Sequence, residues 1–183
     1  VNPDQIVRRN FKIILDYEHD NLLMVLPPIL DILNCSWDST YNYGNQDRPL
    51  SYAERITTSN RVGSMMLDLQ ADMGVIMDHN GENIALIAEN GRVVTDEEFD
   101  IIMAMVLLHH GVRRLVVPIG APGYIDELVA EYGGEVIRTR SDRQTVMKTF
   151  YQEAVVYGMP FYFPYTDGIS ALVLLLDLLA TQD

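Results

Sequence analysis

The sequence predicts an α/β fold of two consecutive three-layer α/β/α domains with mixed sheets. Short apolar runs alternate with segments of helical periodicity, and the connections between them are short. Two capping boxes mark where helices begin. Phe11 to Leu15 is an apolar run closed by Asp16, as expected of a strand whose carboxyl end opens into a loop. Leu22 to Leu33 is apolar at helical spacing, and because Pro27-Pro28 fits only at or near a helix start, the helix itself is expected from Pro28 to about Asn34. Cys35 to Tyr41 reads as a second strand. Ser51-Tyr-Ala-Glu54 is the first capping box and opens a helix toward Leu69; Asp72 to Met77 and Ile84 to Ala88 read as the third and fourth strands.

Asn90-Gly91 is a turn signal, and Thr95-Asp-Glu-Glu98 is the second capping box, followed by Phe99, Ile102, Met103, Val106 and His110 on one helical face. The order then repeats. A strand is expected over Leu115 to Ile119, a helix over Gly123 to Tyr132 stopped by Gly133-Gly134, and a strand over Glu135 to Thr139. A helix from Asp142 to about Gln152, an apolar segment at Phe161 to Phe163 and a helix from Asp167 to Ala180 complete the chain. The domain boundary falls near Thr95, giving residues 1–95 and 96–183. The closing helix is apolar on nearly every side, so it is either central to the second domain or covers a neighbour.

The 183 residues carry 26 acidic against 13 basic side chains, a formal charge of -13. Nucleic-acid affinity comes largely from Lys and Arg neutralising phosphates, so polynucleotide partners and anionic membrane surfaces are not expected. The apolar stretch from Ile169 to Ala180 is interrupted by Ser170 and Asp177 and is far short of the roughly 20 residues of a membrane span. The single cysteine, Cys35, can form no internal disulfide, which fits a reducing, cytoplasmic setting. The chain opens Val1-Asn2-Pro3 and is read as a piece of a longer protein.

Four segments stand in a distinctive order: Ala71-Asp-Met-Gly-Val-Ile-Met-Asp78-His-Asn-Gly-Glu82-Asn83, Glu89-Asn-Gly91-Arg, Tyr132-Gly-Gly-Glu-Val-Ile-Arg138-Thr139, and Thr166-Asp167-Gly168 with its leucine-rich helix. Together they resemble the α-D-phosphohexomutases, the phosphoglucomutase and phosphomannomutase enzymes, over the second and third of that family's four domains. The resemblance implies a magnesium loop, Asp-x-Asp-x-Asp-Arg, in the second domain and a sugar-binding Gly-Glu-x-Ser-Gly loop in the third. Its chemistry is phosphoryl transfer from a phosphoserine in the first domain, which depends on positioning and charge neutralisation.

Carried onto this chain, the metal positions fall on Asp78, Asn80 and Glu82, and the arginine position falls on Asn83. The set keeps one aspartate, replaces one with a neutral amide, lengthens the third and loses the cation. Tyr157-Gly158-Met159-Pro160-Phe161 stands at the sugar loop without its carboxylate, serine or histidine, and Asp142-Arg143 stands at the family's Gly-His or Gly-Lys position. The expectation is a catalytically degenerate module, structural or regulatory in a larger chain. No cofactor is expected of such loops, magnesium remaining as the one alternative. The partners implied are the remaining domains of a parent chain, a sugar phosphate and a second copy. Similar degenerate modules follow a sugar nucleotidyltransferase in bacterial fusion proteins. The rival readings are an active magnesium-dependent phosphohexomutase with a divergent loop and an acidic oligomerisation or binding module.

Read without the resemblance, Val75 to Leu86 is also a strand, an Asn-Gly turn and a strand, a hairpin that requires no ion. Asp16, Glu18, His19 and Asp20 crowd the loop after the first strand, as a solvated turn or a metal site. His109-His110 is expected to cap a helix end. Arg113, Arg114, Arg138, Arg140 and Arg143 are either an anion site, with Arg140 and Arg143 as ligand-binding candidates, or are paired with the abundant acids.

Overall fold

A computed structural model describes residues 1–18, 20–40, 50–158 and 166–182. The chain order is α1 (Pro3–Arg9), β1 (Lys12–Tyr17), a 3-10 turn (Asp20–Met24), α2 (Leu26–Ile32), β2 (Ser36–Ser39), α3 (Tyr52–Leu69), β3 (Met73–Met77) and β4 (Ile84–Ile87). There follow α4 (Asp96–His109), β5 (Arg114–Pro118), α5 (Tyr124–Glu131), β6 (Glu135–Thr139), α6 (Arg143–Tyr157) and α7 (Gly168–Ala180). The expected apolar segment at Phe161 to Phe163, the end of the second strand at Tyr41, and His19 lie outside the described residues. The fold is mixed α/β with a mixed sheet.

The chain divides into two compact units, Val1–Val94 with Tyr165–Asp183, and Thr95–Pro164. The first holds a four-stranded sheet of order β2-β1-β3-β4, in which β1 is parallel to β2 and β3, and β4 is antiparallel to β3. Central position explains composition: β1 from Ile13 to Tyr17 and the whole of β3 are buried, so both read as unbroken apolar runs apart from Asp16. Edge strand β2 alternates exposed and half-buried residues. In the second unit β5 and β6 pair in parallel, with Leu115 opposite Val136.

Helix α3 lies on the first sheet through Val62 and Met66, both fully buried with Ile14, Ile76 and Ile87. Two glycines permit that approach. A Cβ on Gly74 would come within 2.6 Å of Val62 Cγ1, and one on Gly63 within 2.5 Å of the Gly91 carbonyl oxygen. Both capping boxes form: Glu54 N donates to Ser51 Oγ and Ser51 N to Glu54 Oε2, and Thr95 and Glu98 repeat the exchange.

Helix α7 joins the first unit. Its Asp177 carboxylate, buried in an otherwise apolar helix, accepts the Asn2 N–H at 2.5 Å, at the start of α1. Its first residue, Gly168, donates to the Gly81 carbonyl at 3.0 Å in the β3–β4 connection.

Several boundaries differ from the sequence expectation for identifiable reasons. α1 has one buried side chain, Ile6, too little periodicity to announce a helix. α2 starts at Leu26 because Pro27 occupies its first turn, where a missing N–H costs nothing. α6 runs past Gln152 to Tyr157 because Ala154 continues the buried row of Val146 and Phe150.

Candidate functional site

The β3–β4 connection is a loop over residues 78–83 whose shape is set by one carboxylate. Asp78 Oδ1 accepts the backbone N–H of Glu82 at 2.9 Å and of Asn83 at 3.2 Å, and Oδ2 accepts the Asn83 side-chain amide. The backbone closes the same ring, with Asp78 N donating to Asn83 O at 3.1 Å and Gly81 N to Asp78 O at 3.0 Å. Gly81 adopts φ of 70°, the left-handed conformation that the Asn80-Gly81 pair supplies. A Cβ there would stand 2.8 Å from Leu22 Cδ2. The loop is therefore held from below by Leu22 and from the side by Gly168 at the start of α7. Asn80 is exposed at its apex, Glu82 is half-buried, and Asn83 is exposed.

A second group of acids lies at the carboxyl end of β1. Asp16 and Glu18 are 1 % and 3 % exposed, so they are core residues rather than a solvated turn. Asp16 Oδ2 accepts from Thr40 Oγ1 and from Arg61 Nη2, the latter at 2.9 Å. Glu18 pairs with Arg55 at 3.2 Å and accepts the Leu50 N–H at 3.3 Å. Burial pushes the Asp16 carboxyl above its ordinary range, opposed by the Thr40 hydrogen bond and by Arg61. Sequence reasoning missed Arg55 and Arg61 because they lie 37 and 45 residues from their acids, and nothing local signals the pairing.

In the second unit most of the arginines are occupied. Arg114 binds Glu153 at 2.9 Å and also Glu135, with its guanidinium 4.1 Å over the Tyr157 ring. Arg113 donates to the Leu108 and Val112 carbonyls. Arg138 gathers the carbonyls of Ile119, Ala121 and Pro122 and the Asp126 carboxylate at 2.5 Å, which ties β6 to the β5–α5 connection. Arg140 and Arg143 are exposed, Arg140 at 3.5 Å from Asp142, the cap of α6. They share the carboxyl end of β6, whereas Asp78, Asn80, Glu82 and Asn83 share the hairpin loop of the first unit. Of the sugar-loop segment only Tyr157 and Gly158 fall among the described residues.

Arg138 holds the Asp126 carboxyl below its ordinary value of 3.8. A carboxylate depressed by folding adds stability above its unfolded pKa and loses it as pH falls through its folded one. Asp126→Asn is therefore expected to destabilise the second unit at neutral pH. In paired urea titrations of the two proteins, the difference should shrink as pH falls below the ordinary carboxylate value of 3.8 and vanish once the Asp126 carboxyl is protonated in the folded state.

In sequence the chain is similar to phosphohexomutases, and its fold is similar to theirs. The chain is similar to a protein of Pyrococcus horikoshii described as a "probable phosphoglucosamine mutase", 28 % identical over 123 residues, which cover 61 % of this chain and 27 % of that one. It is also similar to a phosphoglucomutase/phosphomannomutase of Thermococcus kodakarensis, 27 % identical over 143 residues, covering 76 % of this chain and 31 % of that one. Among solved structures, a phosphoglucomutase/phosphomannomutase family protein from Burkholderia thailandensis superposes with a TM-score of 0.74 at 16 % identity, over 97 % of this chain and 43 % of that one. No family model matches. The chain thus spans well under half the length of these relatives. Among the described residues no helix is long and apolar enough to cross a membrane.

Proposed function

We propose that the chain is the central part of a phosphoglucomutase/phosphomannomutase-like module whose active-site loops have degenerated, residues 1–95 standing for the second domain of that architecture and 96–183, apart from helix α7 in the first unit, for the third. Its role is structural or regulatory within a larger protein of carbohydrate, specifically nucleotide-sugar, metabolism. The observation that carries this reading is the state of Asp78. Magnesium takes several hard oxygen donors in a near-octahedral shell. Here both Asp78 oxygens are engaged by N–H groups of the loop itself, and the Asn83 amide is one of those donors. Asn80 offers a neutral amide. Among the described residues, Asp78 and Glu82 join no third His, Cys, Asp or Glu at ligating distance. The donor set does not fit the ion, and no arginine stands at Asn83 to meet a phosphate. Arg140 and Arg143, exposed at the carboxyl end of β6, are the candidates to receive a sugar phosphate.

Calorimetric titration of the chain with magnesium, together with a mutase assay of the full-length parent on glucose 1-phosphate, tests the reading. The expected results are no saturable magnesium binding in the micromolar range and no isomerisation. Micromolar binding that Asp78→Asn removes, accompanied by turnover in the parent, would overturn it in favour of an active phosphohexomutase.

A further inference from the structure

Helix α3 is attached to its sheet by two different kinds of contact. From Val62 onward it is held by the fully buried Val62 and Met66 and by the Gly63 approach to the Gly91 carbonyl. From Tyr52 to Arg61 the one buried side chain is Thr58, and Tyr52 is 81 % exposed. Two ion pairs, from Arg55 and Arg61, tie this part to β1 and to the residue that follows it. Arg55 reaches Glu18 at 3.2 Å and the Leu50 carbonyl at 3.3 Å, and Arg61 reaches Asp16 at 2.9 Å. Asp16 is buried on β1, the strand at the centre of the three parallel ones, and Glu18 directly after it, while both arginines are partly exposed. The anchor on the sheet side is not fully satisfied: Asp16 Oδ1 is buried with no hydrogen-bond partner among the described residues.

We propose that Asp16 and Glu18 form a charge latch that holds α3 from Tyr52 to Arg61, so that this part detaches from the sheet as one unit while the helix from Val62 onward stays packed. The physical reason is the asymmetry between the two attachments. An apolar contact is lost only when its whole surface is rewetted, whereas an ion pair with one partly exposed partner gives up little on opening. Opening also rehydrates the buried carboxylates, which offsets the loss of their arginines. The latch works only while each acid has its cation. A buried carboxylate deprived of its partner is strongly unfavourable, and lifting this part of α3 would let water reach Asp16.

Amide hydrogen exchange on the full 183-residue chain at neutral pH tests this, comparing Arg55–Thr58 with Val62–Leu69 in the wild type and in Arg61→Met. The substitution keeps most of the side chain's apolar bulk and leaves the buried Asp16 carboxyl without its cation. It is expected to speed exchange at Arg55–Thr58 by about tenfold or more while Val62–Leu69 changes by less than about twofold. Asp16→Asn combined with Arg61→Met removes the stranded charge and should return Arg55–Thr58 toward the wild-type rate. Should Arg61→Met fail to fold, Arg55→Met, at the more exposed pair, provides the same comparison with a smaller acceleration in the same segment. Equal acceleration of both segments, no acceleration in either, or a double variant as fast as the single one would each overturn the latch.

Discussion

Gly63→Ala is expected to be among the most damaging single substitutions in the first unit, at about 3 kcal/mol or more, because the added methyl meets backbone rather than a movable side chain. Gly63 sits on the buried face of α3, and its Cβ would lie 2.5 Å from the Gly91 carbonyl oxygen and 3.4 Å from the carbonyl carbon. The turn cannot retreat easily. Gly91 has φ of 79° and its N–H is bonded to the Ala88 carbonyl at 2.8 Å, while the Ala88 N–H is bonded to the Arg92 carbonyl at the same distance. Alanine is the better helix former by up to about 1 kcal/mol, so a loss despite that gain isolates the steric term. Urea denaturation followed by circular dichroism measures it, and a stability equal to or above wild type would show that α3 can move away from the turn at no cost.

Met66→Ala is the second large effect, about 2 to 5 kcal/mol. Met66 is fully buried among Ile14, Val62, Ala71, Ile76 and Ile87, and its Sδ would lie 2.7 Å from a Cβ on Gly74. Truncation removes the thioether that packs against the Gly74 position of β3. Strand β3 cannot settle into the void without breaking its pairings to β1 and β4. The same denaturation experiment should show a lower midpoint with an unchanged slope, since the exposed area on unfolding hardly alters. A loss below about 1 kcal/mol would mean that the neighbouring methionine and leucine side chains fill the space.

Much of this architecture was legible in the sequence because its signals are local. A capping box needs residues three apart, so the starts of α3 and α4 could be read from Ser51 and Glu54 and from Thr95 and Glu98. The β3–β4 hairpin was legible from Asn80-Gly81 between two apolar runs. The buried face of α6 was legible only as far as Gln152, because Val155, Val156 and Tyr157 make its last turn apolar on the exposed side as well. The acids of β1 show where such reading stops. Asp16 and Glu18 look like a polar loop beside His19 and Asp20, yet they face Arg61 and Arg55 from another element, and no periodicity carries that information.

By itself, then, the amino-acid order determined the alternation of strands and helices, the turns, the caps and the likeness to a family, since each depends on neighbours within a few positions or on ordered motifs. The tertiary structure decided what each charge is for. It turned Asp78 inward on its own loop, set Arg138 among carbonyls, and buried two carboxylates beneath α3. The reason is that a charge's role depends on its solvation and on partners tens of residues away, which are established only when the sheet and its helices close over it.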